Sequence, residues 1–432
     1  MTRKASRRDF LQGKAAARAV ADSAQKALPG DDTETWPSET TEEGYLIRVS
    51  RRAMATEFEV VLNAGQYEGG TEASLDALDL IEALEDQMSV FRPNSEISRM
   101  NRTCAHGPVE VEPRLFGLLE LAEALHAETG GALDITSSPL WKVWGFRRRA
   151  GSIPSDDELS QAMKNVGSHL VELDAGRKTV LFRQPGVELN LGSIGKGYAL
   201  DRCAEVLIAA GIHDFLIHGG QSSVLARGSQ GSGLRGQGLG DRGQALGDRG
   251  QGLGDRSQGS EVRVQGSGFR VQGSEFTQER GTRSAEPRTL NPEPLSASDP
   301  QPKGWIVGIP HPTRKDVRLA ELRLRDRALG TSGASTQYFR YRGQRYGHIL
   351  DPRSGRPAEG VFSATVLAAT AAQADALSTA FYVMGAGKAL QYCRSRPEIG
   401  AVLVCPAHDP KGFEIRSAGL GDDELRILDD GA

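Results

Sequence analysis

Residues 189–202 read LNLGSIGKGYALDR, an apolar run followed by three glycines, a lysine and a helical pattern. Val187, Leu189 and Leu191 alternate with Glu188 and Asn190, which predicts a strand; Ala199, Cys203, Val206 and Leu207 recur at helical spacing. The stretch therefore reads as a strand-loop-helix turn. Gly192, Gly195 and Gly197 let the backbone approach a ligand, a helix start offers unpaired N–H groups, and Lys196 adds positive charge, so phosphate is the natural guest. A tight turn without a ligand explains the same glycines, and the spacing fits neither the P-loop nor the dinucleotide fingerprint, so both readings stand at this point.

Outward from this turn, strands and helices follow one another without a regular βαβ cycle. Strands are predicted at Phe58 to Leu62, in DFLIHGGQSSVLARG (214–228), and at Trp305 to Gly308, Val317 to Arg325, Val361 to Leu367 and Ile399 to Cys405, the last of the chain. Helices are predicted at Ala73 to Met88, Leu115 to Thr129 (stopped by Gly130 and Gly131) and Ala372 to Met384. The fold class this favours is α+β: one domain of mixed sheets flanked by helices, in two parts, 45–228 and 304–420, with a tail at 421–432.

The parts are separated by a segment of different character. GQGLGDR, GQALGDR and GQGLGDR repeat at a strict seven-residue period from Gly236, then RVQGSGF and RVQGSEF, then a Pro-rich run. Large apolar residues are too few to offset the entropy of ordering, so residues 229–303 are expected to be a disordered insertion, which a core tolerates because loop-closure entropy rises only logarithmically.

The first 37 residues are set aside from the fold. Arg7 and Arg8 precede Phe10 and Leu11, resembling a twin-arginine export signal, although Lys14 and Arg18 interrupt the apolar region such a signal needs. The expectation is export to the periplasmic or cell-envelope side; the alternative is a disordered basic start to a cytoplasmic protein.

Composition narrows the function class. The 432-residue chain carries a net charge of −4, which gives no basic field for nucleic acid, and no apolar stretch is long enough to span a bilayer. Its cysteines, Cys104, Cys203, Cys393 and Cys405, form no C-x-x-C pair and read as small buried hydrophobes.

Three clusters carry chemistry. In HILDPRSGRP (348–357) a histidine ends a strand before a Pro/Gly-rich turn, placing its imidazole at a loop edge. In AAQADALSTAFYVMG (371–385), Asp375 and Thr379 lie one helical turn apart, where adjacent oxygens suit a hard cation or the aspartate merely favours the helix dipole. GGALDITSSPLWKVWGF (130–146) brings Asp134, Thr136 and two tryptophans together.

In order along the chain, MATEF (54–58), MSVFRPNSEISRMN (88–101), GGALDITSSPLWKVWGF, LNLGSIGKGYALD, LIHGG (216–220), TSG (331–333), YGHILDPRSGRP (346–357) and ADALSTAFYVMG (374–385) together resemble the ApbE family, the FAD:protein FMN transferases. The resemblance implies binding of FAD with Mg²⁺ and transfer of FMN to a Thr or Ser hydroxyl of an acceptor flavoprotein, with release of AMP. Matched to the family's motifs, Met54, Phe91, Ala132, Leu133, Asp134, Asn190, Lys196 and Ile349 would surround FAD. Ser193 (through its carbonyl), Asp375 and Thr379 would hold the metal, and His348 would act as general base. The chain departs from the usual pattern at Asn190 (commonly Asp), Phe91 (commonly Tyr), Ala55 (commonly Gly) and Gln221 (often Asp). An FAD pyrophosphatase and a non-catalytic flavin carrier are the alternative readings.

Overall fold

The computed structural model describes residues 45–148, 151–228, 261–265, 304–311, 314, 317–333, 337–407 and 412–428. The export-signal reading of residues 1–37 lies outside the described residues, as does most of the insertion expected over 229–303.

The chain begins with a hairpin of β1 (Leu46–Ala53) and β2 (Thr56–Asn63), closed by Met54 and Ala55, both left-handed at φ of 47° and 59°. There follow α1 (Gly70–Met88), α2 (Glu96–Thr103), β3 (Val109–Glu110), α3 (Pro113–Glu128), α4 (Ser138–Val143), α5 (Asp156–Met163), β4 (Val171–Asp174) and β5 (Thr179–Phe182). The opening turn of the sequence leads into α6 (Gly195–Ala209), and the DFLIHGGQSSVLARG run folds as a hairpin of β6 (Phe215–Gly219) and β7 (Ser223–Arg227). Then come β8 (Glu261–Gln265), β9 (Trp305–Pro310), β10 (Arg318–Leu324), β11 (Ala328–Gly333), β12 (Tyr338–Tyr341), β13 (Gln344–Gly347), β14 (Ser363–Ala368), α7 (Ala371–Met384), α8 (Ala386–Ser395), β15 (Gly400–Pro406), β16 (Phe413–Ala418) and β17 (Leu425–Ile427).

Among the described residues nine strands make the main sheet, in the order β16-β15-β14-β11-β7-β6-β2-β1-β8, and each neighbouring pair is antiparallel. With helices gathered on one face of an antiparallel sheet, the class is α+β. That face carries Phe58, Val60, Phe215, Ile217, Leu225, Val366 and Leu403, packed on Leu78 and Ile81 of α1, Ala199 and Cys203 of α6, and Leu377 and Phe381 of α7. The opposite face carries Val61, Leu216, Val224, Leu329 and Leu367, covered by Trp305, Val307, Leu322 and Leu324 of the small β17-β10-β9 sheet. Burial on both faces is why these strands read as nearly continuous apolar runs.

Helix α7 is the pivot of the functional end. Most of it is buried, including Ala374, Asp375, Ala376 and Ser378. Glycines on both sides make room for it: a Cβ on Gly197 of α6 would fall 2.0 Å from the Ala371 carbonyl oxygen, and one on Gly330 of β11 would fall 2.5 Å from the Ala374 carbonyl carbon. The glycine in the opening stretch therefore serves helix packing at Gly197.

The structure departs from the sequence reading in three places. Residues 187–191 are not a strand: the Asn101 carboxamide takes the place of a neighbouring strand, accepting from the Leu189 N–H (2.8 Å) and donating to the Leu189 carbonyl (3.0 Å), while the Asn190 N–H donates to Ile135. Within the insertion, Glu261–Gln265 is not structureless, because its EVRVQ alternation pairs antiparallel with β1. Beyond Cys405 the chain adds β16 to the main sheet, and β17, in the segment read as a tail, pairs with β10. The four cysteines are free and buried, as expected.

Candidate active site

At the buried face of α7, the Asp375 carboxylate joins three elements. Its Oδ2 accepts from the Gly197 N–H in the first turn of α6 (2.8 Å) and from the Ser223 hydroxyl of β7 (2.8 Å). No described residue donates to Oδ1. Burial pushes the carboxyl up to about 6, against the pull of the Lys196 ammonium and the two hydrogen bonds. A second positive charge near Oδ1 would favour the ionised form.

One turn along, oxygen atoms gather. The Thr379 hydroxyl lies 3.0 Å from the Ser332 hydroxyl of β11 and 3.4 Å from the Asp375 carbonyl, and Ser332 also meets Ser378 at 2.8 Å. The structure thus places Asp375 and Thr379 on one face, as the i, i+4 spacing requires. Among the described residues no three His, Cys, Asp or Glu side chains cluster as a metal site. The group here is of another kind, one carboxylate with hydroxyls, and its donors are all oxygen, which suits a hard cation.

The loop before α6 holds Asn190, Ser193 and Lys196. Asn190 Oδ1 accepts from the Gly192 N–H (3.0 Å), an Asx turn that shapes the loop. Ser193 sits in the turn leading into the helix, and Lys196 Nζ donates to the Ser222 hydroxyl between β6 and β7. Lys196 and Asp375 therefore flank the same pair of serines, Ser222 and Ser223.

The 132–134 segment is tied to this loop through the Ile135 carbonyl, which accepts from Asn190. Ala132, Leu133 and Asp134 are buried. Asp134 Oδ1 accepts from the Thr136 N–H (2.8 Å) and hydroxyl (2.5 Å), its Oδ2 lies 3.4 Å from His126 Nδ1, and that same nitrogen is 2.9 Å from the Leu133 carbonyl. In this structure Asp134 organises its own turn. Met54, half-buried in the β1–β2 turn, donates its N–H to Glu85 (3.0 Å). Phe91 stands 69% exposed, an aromatic ring on a loop, whereas Ile349 is buried in the helix-side core.

His348 follows β13 directly and is half-buried. Its Nδ1 lies 3.0 Å from the Gln337 carbonyl, an acceptor only, so Nδ1 carries the proton and Nε2 keeps its lone pair. The Trp141 ring meets it edge-on at 5.9 Å. Burial lowers its pKa below the ordinary 6.5, against the raising effect of the Gln337 bond, so the ring is neutral at pH 7. Among the described residues no hydrogen bond joins His348 to Asp375 or Thr379; the structure brings together Asp375, Thr379 and Lys196, and anchors His348 to Gln337 at the foot of the β12–β13 hairpin.

Sequence reasoning missed Ser222, Ser223, Ser332 and Asp201. Serines in GGQSS and TSG carry no spacing that separates a ligand hydroxyl from a turn residue. Asp201 looked like one more polar position of a helix, but its Oδ1 and Oδ2 accept from the Ala371 (2.8 Å) and Ala372 (2.9 Å) N–H groups at the start of α7. Burial pushes its carboxyl up to about 6, opposed by those two bonds.

The sequence model of the ApbE family matches residues 54–235 and 294–403. Among characterised proteins, the chain is 27% identical to the FAD:protein FMN transferase of Treponema pallidum over 82% of this chain and 81% of that protein, and 25% identical to that of Haemophilus influenzae over 81% and 84%. Among solved structures, it resembles the flavin transferase ApbE from Vibrio cholerae, with a TM-score of 0.62 at 23% identity, covering 87% of this chain and 97% of the other. The ApbE protein from Thermotoga maritima gives a TM-score of 0.61 at 24% identity, covering 86% and 96%.

Proposed function

The chain belongs to the ApbE family, and from that premise we propose that it is an FAD:protein FMN transferase, moving FMN from FAD to a Ser or Thr hydroxyl of an acceptor flavoprotein and releasing AMP. The observation that carries this reading is the convergence on Asp375: one buried carboxylate bonded to the start of α6 and to β7, with Lys196 beside it and the hydroxyls of Thr379 and Ser332 gathered one helical turn along.

The residues fit a magnesium ion. Asp375 Oδ1 and Thr379 Oγ1 would hold it together with the Ser193 carbonyl, and Mg²⁺ bound there supplies charge neutralisation at the pyrophosphate. Lys196 adds charge in the first turn of α6, where backbone N–H groups favour phosphate. Phe91 offers its exposed ring to the flavin face, and Met54, Ala132, Leu133, Asp134, Asn190 and Ile349 form the remaining walls. The acceptor hydroxyl oxygen bonds to the FMN phosphorus, the bond from that phosphorus to the AMP oxygen breaks, and the hydroxyl proton passes to Nε2 of His348, the nitrogen that the Gln337 bond leaves unprotonated.

Calorimetric titration of Mg²⁺ into the FAD-loaded protein tests the site: wild type should bind it and Asp375→Ala should not. Equal affinity in both would remove Asp375 from the metal. We also propose that Arg7 and Arg8 direct export; a reporter fused to residues 1–37 that stays in the cytoplasm would count against this.

A further inference from the structure

Glu188 stands two residues ahead of Asn190, at the root of the loop that carries Ser193 and Lys196, and its carboxylate receives three side chains from one neighbouring segment. The Ser138 hydroxyl donates to Oε2 (3.2 Å), the Lys142 ammonium donates to Oε1, and the Arg147 guanidinium lies 3.5 Å from Oε2. Ser138 and Lys142 are one turn apart on α4, which brings both to the same carboxylate. Arg147, just past α4, also donates to the carbonyl of Val90 (3.4 Å), the residue before Phe91. The transfer chemistry gives Glu188 no role of its own.

The same segment holds the histidine. Trp141, beside Lys142 on α4, meets the His348 ring at 5.9 Å, and the Trp144 indole N–H donates to the Gly355 carbonyl (2.7 Å). Leu140, Trp144 and Phe146 pack with Leu350 in a cluster distinct from the main core. Residues 138–146 and 348–355 are thus joined to each other by packing, and Glu188 ties that unit by charge to the loop before α6. One carboxylate shared by two cations and a hydroxyl, with the Glu188 side chain 22% exposed, is a network and holds its geometry better than a lone surface pair.

We propose that Glu188 is a positioning residue for flavin transfer: by gripping α4 it holds Trp141, and through it the His348 ring, in register with the loop that carries Asn190, Ser193 and Lys196. The inference rests on the transferase reading with His348 as base. A base displaced from hydrogen-bond reach of the hydroxyl loses rate steeply, so loosening the grip lowers turnover without removing any group that touches FAD.

The test is a double-mutant cycle over Glu188→Gln and Lys142→Gln in the full chain, with two readouts. The first is the rate at which diethyl pyrocarbonate modifies His348 in the absence of FAD, followed by peptide mass spectrometry with exposed His213 as the internal standard. The second is kcat for transfer to a threonine peptide, with FAD affinity measured separately. Each single variant should raise the His348 modification rate about two- to fivefold and lower kcat by a similar factor at unchanged FAD affinity, and the double variant should go little further. Lys142→Arg, which keeps the charge, should behave as wild type. Salt at about 0.5 M should move wild type in the direction of the variants and leave the double variant nearly unmoved. An unchanged His348 modification rate in both single variants, effects that add in full, or a loss confined to FAD affinity overturns the proposal. Absence of flavin transfer by wild type would count against the transferase reading instead, and the His348 modification rates would still decide whether Glu188 holds the ring.

Discussion

Asp201 and Asp375 cap each other's helices. Asp201, on α6, accepts the Ala371 and Ala372 N–H groups that open α7, while Asp375, on α7, accepts the Gly197 N–H in the first turn of α6. Each carboxylate satisfies donors that a helix start leaves without intrahelical partners and lies where the helix dipole favours negative charge. The helix that carries the site carboxylate is therefore anchored at its start by a second carboxylate.

Asp201→Asn turns one acceptor oxygen into an NH₂ facing an N–H, so it should cost about 1–2 kcal/mol in urea unfolding. Both carboxyls are held near 6 in the folded chain against an ordinary 3.8. Between those values the folded state binds more protons than the unfolded state. The stability each neutral carboxyl contributes is thus full below about 3.8 and is lost as pH rises through about 6. The unfolding free energy of wild type minus that of Asp375→Asn should fall across this window; a flat difference would show that burial does not govern Asp375.

The His348 base is active when neutral, so kcat should climb as pH passes upward through the folded-state pKa and then level off. Burial puts that pKa below 6.5, lower than the near-neutral value expected of an ordinary imidazole. His348→Ala should keep FAD and Mg²⁺ affinity and lose on the order of 10²- to 10⁴-fold in transfer. Loss of FAD binding instead would place the ring among the binding residues.

Ala55 holds φ 59° in the β1–β2 turn, a conformation glycine adopts without strain. Left-handed backbone costs an alanine about 1–2 kcal/mol, partly offset by glycine's greater freedom when unfolded. Ala55→Gly should therefore raise stability by up to about 1 kcal/mol in equilibrium denaturation. A loss of stability would mean that the alanine methyl group packs usefully.

Deleting residues 229–303 removes β8 and bares the edge of β1. Exposed edges invite pairing between chains, so the truncated protein should melt a few degrees lower and self-associate on size-exclusion chromatography while still binding FAD. Unchanged melting and a monomeric profile would show that the strand contributes nothing.

The α+β class was legible because both periodicities are strong: the apolar stripe of α1 and the apolar runs of β6, β7 and β14 need no tertiary information. Val187 to Leu191 misled because alternation registers burial on one side, and the hydrogen bonds that would have made a strand go to the Asn101 side chain. That Asp375 and Thr379 share a face was legible from helical spacing, while a metal role for them came only with the family resemblance. Ser223, Ser332 and Asp201 were not, since their importance comes from long-range packing of α7 between α6 and β11, which local pattern does not encode.

The central claim is transfer rather than storage or hydrolysis. Wild-type protein incubated with FAD, Mg²⁺ and a threonine acceptor peptide, resolved by mass spectrometry and nucleotide chromatography, should give peptide-bound FMN and AMP in equal amounts, and Asp375→Ala should give neither. Intact FAD with wild type, or AMP with free FMN and an unmodified peptide, would contradict the account.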